Sequence, residues 1–185
     1  MSSDRLRRWL FCALFAALTA ICSQIQIPLP MVPINLALFG VHLCGALLGP
    51  KDGVLSLSIY ICLGAVGVPV FAGFMGGMGI LLGKTGGYAI GYILCAGIVG
   101  LLCQRWTSFW LQCASMALGV CACYTFGTIW FMAVTQLNLW TSLAYCVWPF
   151  LPGDAVKILL AAWMTRRLKP VFVQNRWCPP SVLRH

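Results

Sequence analysis

Two residues of opposite charge lie close together in an otherwise apolar stretch of this chain. The stretch reads PFLPGDAVKILLAAWMTRR, residues 149–167, and it places Asp154 three positions before Lys157. Residues at i and i+3 share one face of an α-helix. Ionisable residues inside a membrane bundle usually mark a ligand or ion path. One acceptor and one donor on a shared face suit a ligand that carries both N–H and C=O groups, such as a cyclic urea.

The same two residues also allow a purely structural interpretation. Asp154 at a helix start would complement the helix dipole and the exposed N–H groups of the first turn. Lys157 would then extend until its ammonium group reached the membrane interface. Both interpretations stay open at this point, and the general use of buried charge in membrane bundles favours the ligand site.

Catalytic chemistry finds few candidate residues. The chain has three acidic residues and none of them is glutamate, so Asp154 is the one plausible membrane-embedded acid. The H-E-x-x-H and G-x-S-x-G motifs and a pair of carboxylates are absent from the sequence. General acid–base catalysis needs a positioned partner that this composition scarcely offers. We therefore predict no catalytic residues and no enzyme activity.

The composition is that of an integral membrane protein. Hydrophobic residues make up 61% of the 185 residues, charged residues make up 8%, and the mean hydropathy is +0.92. Soluble domains carry about 25% charged residues. We predict an all-α, multi-pass bundle that forms a single membrane domain over residues 1–185, with no appended catalytic or nucleotide-binding unit.

Six apolar segments are predicted to cross the membrane, where a spanning helix needs about 20 apolar residues. Three prolines in PLPMVPIN, residues 28–35, separate the first two segments because proline cannot continue a helix. The turn GPKDG, residues 49–53, separates the second from the third. The predicted spans cover residues 9–27, 34–48, 54–66, 86–103, 110–134 and 151–165. The stretch TQLNLWTSLAYCVWP, residues 135–149, is interpreted as a polar and aromatic link before the last span.

The distribution of Lys and Arg predicts the orientation. With the amino terminus inside, ten of the twelve basic residues fall on the inner side, one falls outside at Lys84, and Lys157 lies within the last span. Inner loops of membrane proteins carry this excess of Lys and Arg. We predict that both termini are cytoplasmic. The net charge of +9 therefore indicates a lipid bilayer as its partner and no nucleic acid, because no basic stripe with interleaved aromatics is present.

Metal and cofactor binding are not indicated by the remaining candidate ligands. The eleven cysteines are scattered through apolar segments without C-x-x-C spacing, and we interpret them as small packing residues. His42 stands alone inside the second predicted span and is interpreted as a buried histidine with satisfied hydrogen bonds. We predict no metal site and no cofactor.

A glycine-rich segment, GAVGVPVFAGFMGGMGILLGKTGGY at residues 64–88, has two possible roles. It is not a P-loop, because Gly79 lies one position too close to Gly83 and no soluble domain surrounds it. The glycines can let helices pack closely, as in Gly73-x-x-x-Gly77 or Gly87-x-x-x-Gly91.

The second role is an irregular loop that caps a cavity. Non-helical backbone at membrane depth persists where protein or water satisfies it. In this role Phe71, Phe74 and Tyr88 would supply apolar walls and a single hydroxyl group.

The first predicted span carries two ridges of small residues. Ala13 and Ala17 form one ridge, and Ala16 and Ala20 form the other. Small residues four positions apart let a second helix approach closely. The ridges serve either internal packing or docking of a partner membrane protein.

Taken together, the motifs resemble the BioY family, the biotin-binding S-components of energy-coupling-factor (ECF) transporters. The resemblance covers about residues 13–165. It runs through PLPMVPIN, then LLGPKDGVLSLSIYICLGAVGVPVF, then GKTGGYAIGY, and finally PFLPGDAVK. The order and spacing of these four stretches are jointly specific, whereas each alone would be weak.

The resemblance implies a six-helix bundle that binds biotin at its outer side as the transported ligand. It also implies a coupling membrane protein and ABC-type ATPases as partners, docked through small residues of the first helix, namely Ala13, Ala16, Ala17 and Ala20. Some members of the family act without a dedicated ATPase module. The residues implied in substrate binding are Asp154, Lys157, Tyr88, Phe71, Phe74, Asn35, Gly86 and Gly87.

Two departures from the family pattern concern the outer side. Lys84 stands where the family has proline in G-P-T-G-G-Y, and an outside lysine at the rim can attract a carboxylate ligand or remain solvated. Asn35 and Ala37 stand where the family has threonine and glutamine in P-I-T-L-Q.

Three alternatives to biotin uptake remain at this point. An S-component for a different vitamin would share the fold and differ in its pocket. A polytopic membrane enzyme would turn over a substrate without ATPases. A structural or assembly protein would bind no small molecule and would tolerate substitution of Asp154 and Lys157.

Overall fold

The computed structural model describes residues 3–28 and 32–174, and this part of the chain is almost entirely helical. Its longer helices follow the apolar segments of the sequence, which confirms the all-α prediction. Within the described residues the helices are α1 Ser3–Gln24, α2 Ala37–Ala65, α3 Met78–Leu82, α4 Gly86–Arg105, α5 Phe109–Thr135, α6 Leu139–Cys146 and α7 Leu151–Gln174, and two short strands are β1 Gln26–Ile27 and β2 Ile34–Asn35.

Helix α2 contains a break that divides it into two halves. Gly49 has φ 81° and ψ 179°, a conformation outside the helical region that glycine adopts without steric cost, and Pro50 follows it. A Cβ atom built on Gly53 would lie 3.2 Å from the Cα atom of Gly45, although eight residues of straight helix would separate these positions by about 12 Å. The chain therefore turns back sharply at Gly49.

The two halves of α2 run in opposite directions along α1. In the first half, Gly40 approaches Thr19 of α1 near the end of that helix. In the second half, the Ser56 hydroxyl donates to the carbonyl oxygen of Cys12 at 2.7 Å, near the start of α1. The turn expected at residues 49–53 is present, and the predicted segments 34–48 and 54–66 correspond to these two halves.

Helices α4, α5 and α7 complete the bundle. Gly91 and Gly119 lie where α4 and α5 pack in opposite directions, so that a Cβ atom on Gly91 would meet the Cys123 sulfur at 2.9 Å. Helix α7 runs parallel to α4, and its Lys169 donates to the carbonyl oxygen of Cys103 at 3.1 Å. The interior between the helices is apolar, and its largest fully buried side chains include Tyr60, Phe131, Leu47, Leu57 and Met116.

The bundle has two chemically different ends. One end, called here the basic end, carries the start of α1, the turn at Gly49, the end of α4 and the last part of α7, where Phe172 packs against Phe11. The described Lys and Arg residues at this end are Arg5, Arg7, Arg8, Lys51, Arg105, Arg166, Arg167 and Lys169. The opposite end, called the site end, carries Lys84. Arg176 and Arg184 of the predicted inner tail lie outside the described residues.

The site end is closed by irregular chain. Strands β1 and β2 pair antiparallel, with Gln26 opposite Asn35. The segment between α2 and α3, residues 66–77, is called here the cap loop. Positive φ angles at Gly73 and Gly77 place these glycines outside any helix, so the proposed close helix packing at this pair is wrong. Gly87 and Gly91, by contrast, do lie on α4 and pack against α5.

The link before the last helix differs from the sequence interpretation. Residues 139–146 form the helix α6, in which the Asn138 side chain accepts a hydrogen bond from the Thr141 amide at 2.9 Å and caps the first turn. Helix α6 meets α7 at an angle of 50°. Among the described residues, four helices are long and apolar enough to cross a membrane, and the bent pair α6–α7 makes a fifth if it forms one span.

Candidate ligand-binding site

A cavity opens between the helices at the site end of the bundle. It lies beneath the cap loop and is bounded by α4, α5, α7 and the β1–β2 hairpin. The residues that line it are Val32, Pro33, Asn35, Leu38, Tyr60, Phe71, Ala72, Met75, Ile80, Thr85, Gly86, Tyr88, Ala89, Tyr92, Cys123, Tyr124, Cys146, Phe150 and Lys157. Apolar walls with a few polar groups are typical of small-molecule sites.

The ion pair noticed in the sequence lies at this cavity. The Lys157 ammonium donates to Oδ1 of Asp154 at 2.7 Å, and only 6% of Lys157 and 2% of Asp154 is exposed. The Tyr124 hydroxyl of α5 donates to the other carboxylate oxygen, Oδ2. Both oxygens of Asp154 are therefore bound by side chains, and Lys157 and Tyr124 present their own groups to the cavity.

This geometry argues against the structural interpretation of the two charges. Asp154 lies in the first turn of α7, but its oxygens accept from Lys157 and Tyr124 instead of from backbone N–H groups. Lys157 is buried and does not extend to an interface. Asp154 itself is not among the lining residues, so it stands one layer behind the cavity surface.

Tyrosine side chains dominate the polar lining. The chain has five tyrosines, and four of them, Tyr60, Tyr88, Tyr92 and Tyr124, line the cavity. The Tyr88 hydroxyl lies 3.1 Å from the Thr128 hydroxyl of α5. Such side chains offer aromatic faces to a ring and hydroxyl groups to its polar edge. The sequence analysis identified Tyr88 alone.

The other tyrosines had weak signals in the sequence. Tyr92 follows Tyr88 by four positions and therefore shares its helix face. Tyr124 belongs to a different helix from Asp154, so their contact depends on how α5 packs against α7. That packing is tertiary information which spacing in the sequence does not carry.

Asn35 and Gly86, both predicted to bind the substrate, line the cavity. Asn35 lines the cavity, and its Oδ1 accepts from the amide of Ala37 at 3.1 Å, which fixes the start of α2. Gly86 also lines the cavity, and a Cβ atom there would lie 1.6 Å from the carbonyl oxygen of Leu81. No larger residue fits at this turn between α3 and α4.

Gly87 is placed differently from its neighbour. It does not line the cavity, and a Cβ atom there would lie 2.2 Å from the Cβ of Trp130. Gly87 thus allows α4 to approach α5. Its contribution to a ligand site is through helix packing.

The two phenylalanines of the cap loop take opposite positions. Phe71 is buried, lines the cavity, and packs edge-on against Tyr60 with ring centroids 5.6 Å apart. Phe74 is 73% exposed and is absent from the lining, so the structure does not bring it to the cavity. The loop reverses direction between the two rings, and Met75, although 46% exposed, contributes to the cavity lining in place of Phe74.

The alanine ridges of α1 also separate. Ala13 and Ala17 are exposed on the outer face of the helix, whereas Ala16 is buried and Ala20 is half-buried. Ala16 and Ala20 therefore face the bundle, and Ala13 and Ala17 leave a small-residue surface outside it.

His42 is fully buried, but it is not fully hydrogen-bonded. Its Nδ1 lies 3.9 Å from the Cys95 sulfur, and its Nε2 has no hydrogen-bond partner among the described residues. The expectation of a satisfied buried histidine is therefore wrong for one of the two nitrogens. The described part of the chain contains no group of three or more His, Cys, Asp or Glu side chains that could hold a metal ion.

The fold and the cavity define a class of protein. A bundle of apolar helices holds a tyrosine-lined cavity with a buried ion pair at one end, an arrangement suited to binding a small polar ligand within a membrane.

The chain belongs to the BioY family, whose model matches residues 1–174. It is 37% identical to the biotin transporter BioY of Thermotoga maritima, and the match covers 92% of this chain and 100% of that protein. It is 39% identical to the probable biotin transporter BioY of Pyrococcus horikoshii, with 85% and 93% covered. It also superposes with a TM-score of 0.84 on a crystal structure of the S-component for biotin from an ECF-type ABC transporter, at 28% identity, with 92% and 94% covered.

Proposed function

We propose that this chain captures biotin at its outer face and serves as the substrate-binding S-component of an ECF-type biotin transporter. The protein is a transport subunit of the BioY family and not an enzyme. The observation that carries the proposal is the buried Asp154–Lys157 pair with Tyr124 at the cavity wall. Biotin is the transported ligand, and no cofactor is invoked.

The ureido group of biotin fits the polar side of this cavity. A cyclic urea carries two N–H donors and one carbonyl acceptor, and these complement the carboxylate of Asp154 and the ammonium of Lys157. Asp154 accepts a hydrogen bond from Lys157 on one oxygen and from Tyr124 on the other. Asp154 lies behind Lys157 and Tyr124, which line the cavity, so a ureido N–H reaches its carboxylate when one of these two side chains moves aside, and the moved group can then donate to the ligand.

The fused rings of biotin fit the aromatic side. Phe71, Tyr60, Tyr88 and Tyr92 provide flat apolar faces around the cavity. A thioether sulfur makes favourable contacts with aromatic rings of about 0.3–1.5 kcal/mol. The hydroxyl groups of the four lining tyrosines can form hydrogen bonds with the polar edge of the biotin ring system.

The valerate carboxylate needs a cation. Lys157 is one candidate if the ureido group binds Asp154 and Tyr124. Lys84 is the other, because it is exposed between α3 and α4 at the site end. To identify this cation, the affinities for biotin and for a neutral biotin ester are compared in variants that lack Lys84 or Lys157. The variant that lacks the lysine contacting the carboxylate should bind biotin and the ester equally.

The six-span topology with both termini cytoplasmic is part of the proposal. The antiparallel halves of α2 count as two crossings, although 12 and 16 residues of helix reach only about 18 and 24 Å. The basic end would then face the cytoplasm, as the positive-inside rule requires, and the cavity would face outward. We also propose that residues 1–185 form one membrane domain and that this domain lies in the cell membrane.

Docking to a coupling membrane protein is proposed for the outward ridge of α1. Ala13 and Ala17 are exposed and can take a close helix contact, whereas Ala16 is buried against the bundle. Partner ATPases would supply the energy for the bundle to reorient and release biotin inside. Ala17→Leu is expected to prevent co-purification with the coupling protein while leaving biotin binding intact.

The proposal is tested by equilibrium binding of labelled biotin to the purified chain in detergent. Unlabelled biotin, thiamine and riboflavin serve as competitors. Saturable binding displaced by biotin alone supports the proposal. Displacement by another vitamin would reassign the ligand, and a folded chain that binds none of the three would contradict the proposed capture of biotin.

A further inference from the structure

The cap loop has little regular structure of its own. Its internal hydrogen bonds include one from the Phe71 amide to the Met75 carbonyl at 3.0 Å, and the Gly77 amide donates to Gly64 of α2 at 2.6 Å. Residues 66–69 and 73–75 are exposed, whereas Val70 and Phe71 are buried. A glycine-rich loop of this kind needs contacts from other elements to keep one conformation.

Those contacts come from the last turn of α1. The Gln24 side chain donates from Nε2 to the carbonyl oxygens of Phe71 at 3.1 Å and Val70 at 3.2 Å. Its Oε1 accepts from the Phe74 amide at 2.9 Å. The Gln24 carboxamide therefore forms hydrogen bonds with the loop on both sides of its reversal. The two carbonyl oxygens fix the orientation of the carboxamide, because its nitrogen Nε2 is the donor.

A second contact reinforces the first at Val70. The buried Ser23 hydroxyl lies 2.5 Å from the Val70 carbonyl oxygen and 2.7 Å from that of Ala20, and its one hydrogen can be donated to either. The Tyr60 hydroxyl approaches the Val70 oxygen at 3.3 Å. Tyr60 also lines the cavity. The carbonyl of Val70 is thus the point at which α1, α2 and the cap loop meet.

The residues held in this way form part of the cavity wall. Phe71 and Met75 both line the cavity and are joined by their own backbone hydrogen bond. We propose that Gln24 is a positioning residue of the ligand-binding site: it holds the cap loop closed and so sets how long the bound ligand stays. This inference rests on the proposed binding of biotin.

The chemistry of the amide gives the inference its specificity. Gln24→Met keeps the length of the side chain and removes both the donor and the acceptor. Gln24→Glu keeps an acceptor for the Phe74 amide but places a carboxylate oxygen against two carbonyl oxygens. It should therefore open the loop at least as much as Gln24→Met does. Ser23→Ala removes one donor to Val70 and keeps the Gln24 contacts.

The test measures biotin dissociation and loop opening in the same variants. Dissociation of labelled biotin is followed after dilution into excess unlabelled biotin, and association is followed by rapid mixing. Hydrogen exchange of peptides covering residues 69–76 is followed without ligand. Gln136→Met is the matched control, since within the described residues the Gln136 side chain donates locally, to the carbonyl of Ala133 at 2.7 Å.

We expect Gln24→Met to speed dissociation at least about ten-fold, because two or three net hydrogen bonds of the closed loop are lost, without slowing association. Exchange in residues 69–76 should accelerate, Ser23→Ala should give a smaller effect of the same kind, and Gln136→Met should match the wild type. A residue that only aids folding would reduce the active fraction and leave the dissociation rate of the remaining complex unchanged.

The inference is overturned if Gln24→Met and Gln24→Glu both dissociate biotin and exchange the cap loop at wild-type rates. If Gln24→Met does not fold, Ser23→Ala and Gln24→Glu decide the matter by the same two rates. If the wild type binds no biotin, the proposed function fails. Unchanged hydrogen exchange in the ligand-free variants contradicts the proposed role of Gln24 in holding the cap loop closed.

Discussion

The two described ion pairs of this chain lie at opposite ends of the bundle and join different things. At the basic end, Arg8 of α1 donates to Asp52 beside the turn of α2, so the pair connects two helices through residues that are 44 positions apart in the sequence. At the site end, Asp154 and Lys157 belong to one helix and one turn. The first pair holds helices together, whereas the second joins only residues that α7 already places side by side.

Burial sharpens this difference. The Arg8 side chain is 50% exposed, but the side chains of Asp154 and Lys157 are 3% and 8% exposed. Burying two charges is unfavourable unless the gain exceeds the lost hydration. A pair within one helix does not itself join two helices, and the link to α5 comes from a third residue, Tyr124, so the persistence of the pair beside a cavity is better explained by ligand binding. A charge pair that joins two helices therefore indicates a structural role, whereas a buried pair within one helix beside a cavity indicates a role in binding.

The largest expected effect is the loss of one partner of the site pair. Asp154→Asn and Lys157→Ala should each weaken biotin binding at least about ten-fold, because each removes a charged group that would hydrogen-bond the ligand. Titration with labelled biotin measures the change. Either variant with wild-type affinity would remove the residue from the site.

Arg8→Met is expected to act on stability instead. It leaves the buried Asp52 carboxylate without its guanidinium, which should lower the free energy of unfolding by about 1–3 kcal/mol. Thermal unfolding in detergent measures this, with Arg5→Met, an exposed arginine one turn earlier, as the control. The biotin affinity of the folded fraction should stay at the wild-type value, and a ten-fold loss there would erase the contrast between the two ends.

Tyr124→Phe should have an intermediate effect on binding. It removes the donor to Oδ2 of Asp154 and keeps the aromatic ring in the cavity wall. We expect an affinity about three- to ten-fold weaker, since one hydrogen bond to a charged group is lost. If binding instead becomes tighter, the Tyr124 hydroxyl competes with the ligand for Asp154 and contributes nothing afterwards.

Phe74→Ala should have the smallest effect. Its side chain is exposed and away from the cavity, so biotin affinity should change less than about two-fold, as for most surface substitutions. Phe71→Ala is the matched comparison, because it removes a buried wall of the cavity and should weaken binding clearly. Equal losses for the two variants would mean that Phe74 turns inward over the ligand.

Much of the fold follows from local pattern. The apolar runs predict α4 and α5 closely, and the glycine–proline pair at 49–50 predicts the turn in α2 because both residues break helices for local reasons. Helix α6 was missed because its residues read as a polar and aromatic link. A helix of eight residues has too few turns for apolar periodicity to reveal it.

Contacts within the candidate site could be predicted from residue spacing only where both partners lie in one element. Asp154 and Lys157 share a helix turn, so their spacing alone brought them together. Tyr124 reaches Asp154 from another helix, and Gln24 reaches the cap loop across about 50 residues. Phe74 was misplaced because the side chains of an irregular loop follow no period, so its residues cannot be assigned inward or outward from the sequence.

Neutralising both charges at once separates a role of the Asp154–Lys157 pair in ligand binding from a role in stability. Biotin affinity and thermal unfolding should be measured for the doubly neutral variant Asp154→Asn/Lys157→Met, which leaves no unpaired charge in the bundle. The account predicts a folded protein whose unfolding temperature equals or exceeds that of the wild type and whose affinity for biotin falls at least about ten-fold. A variant that binds biotin as the wild type does, or one that fails to fold, would contradict it.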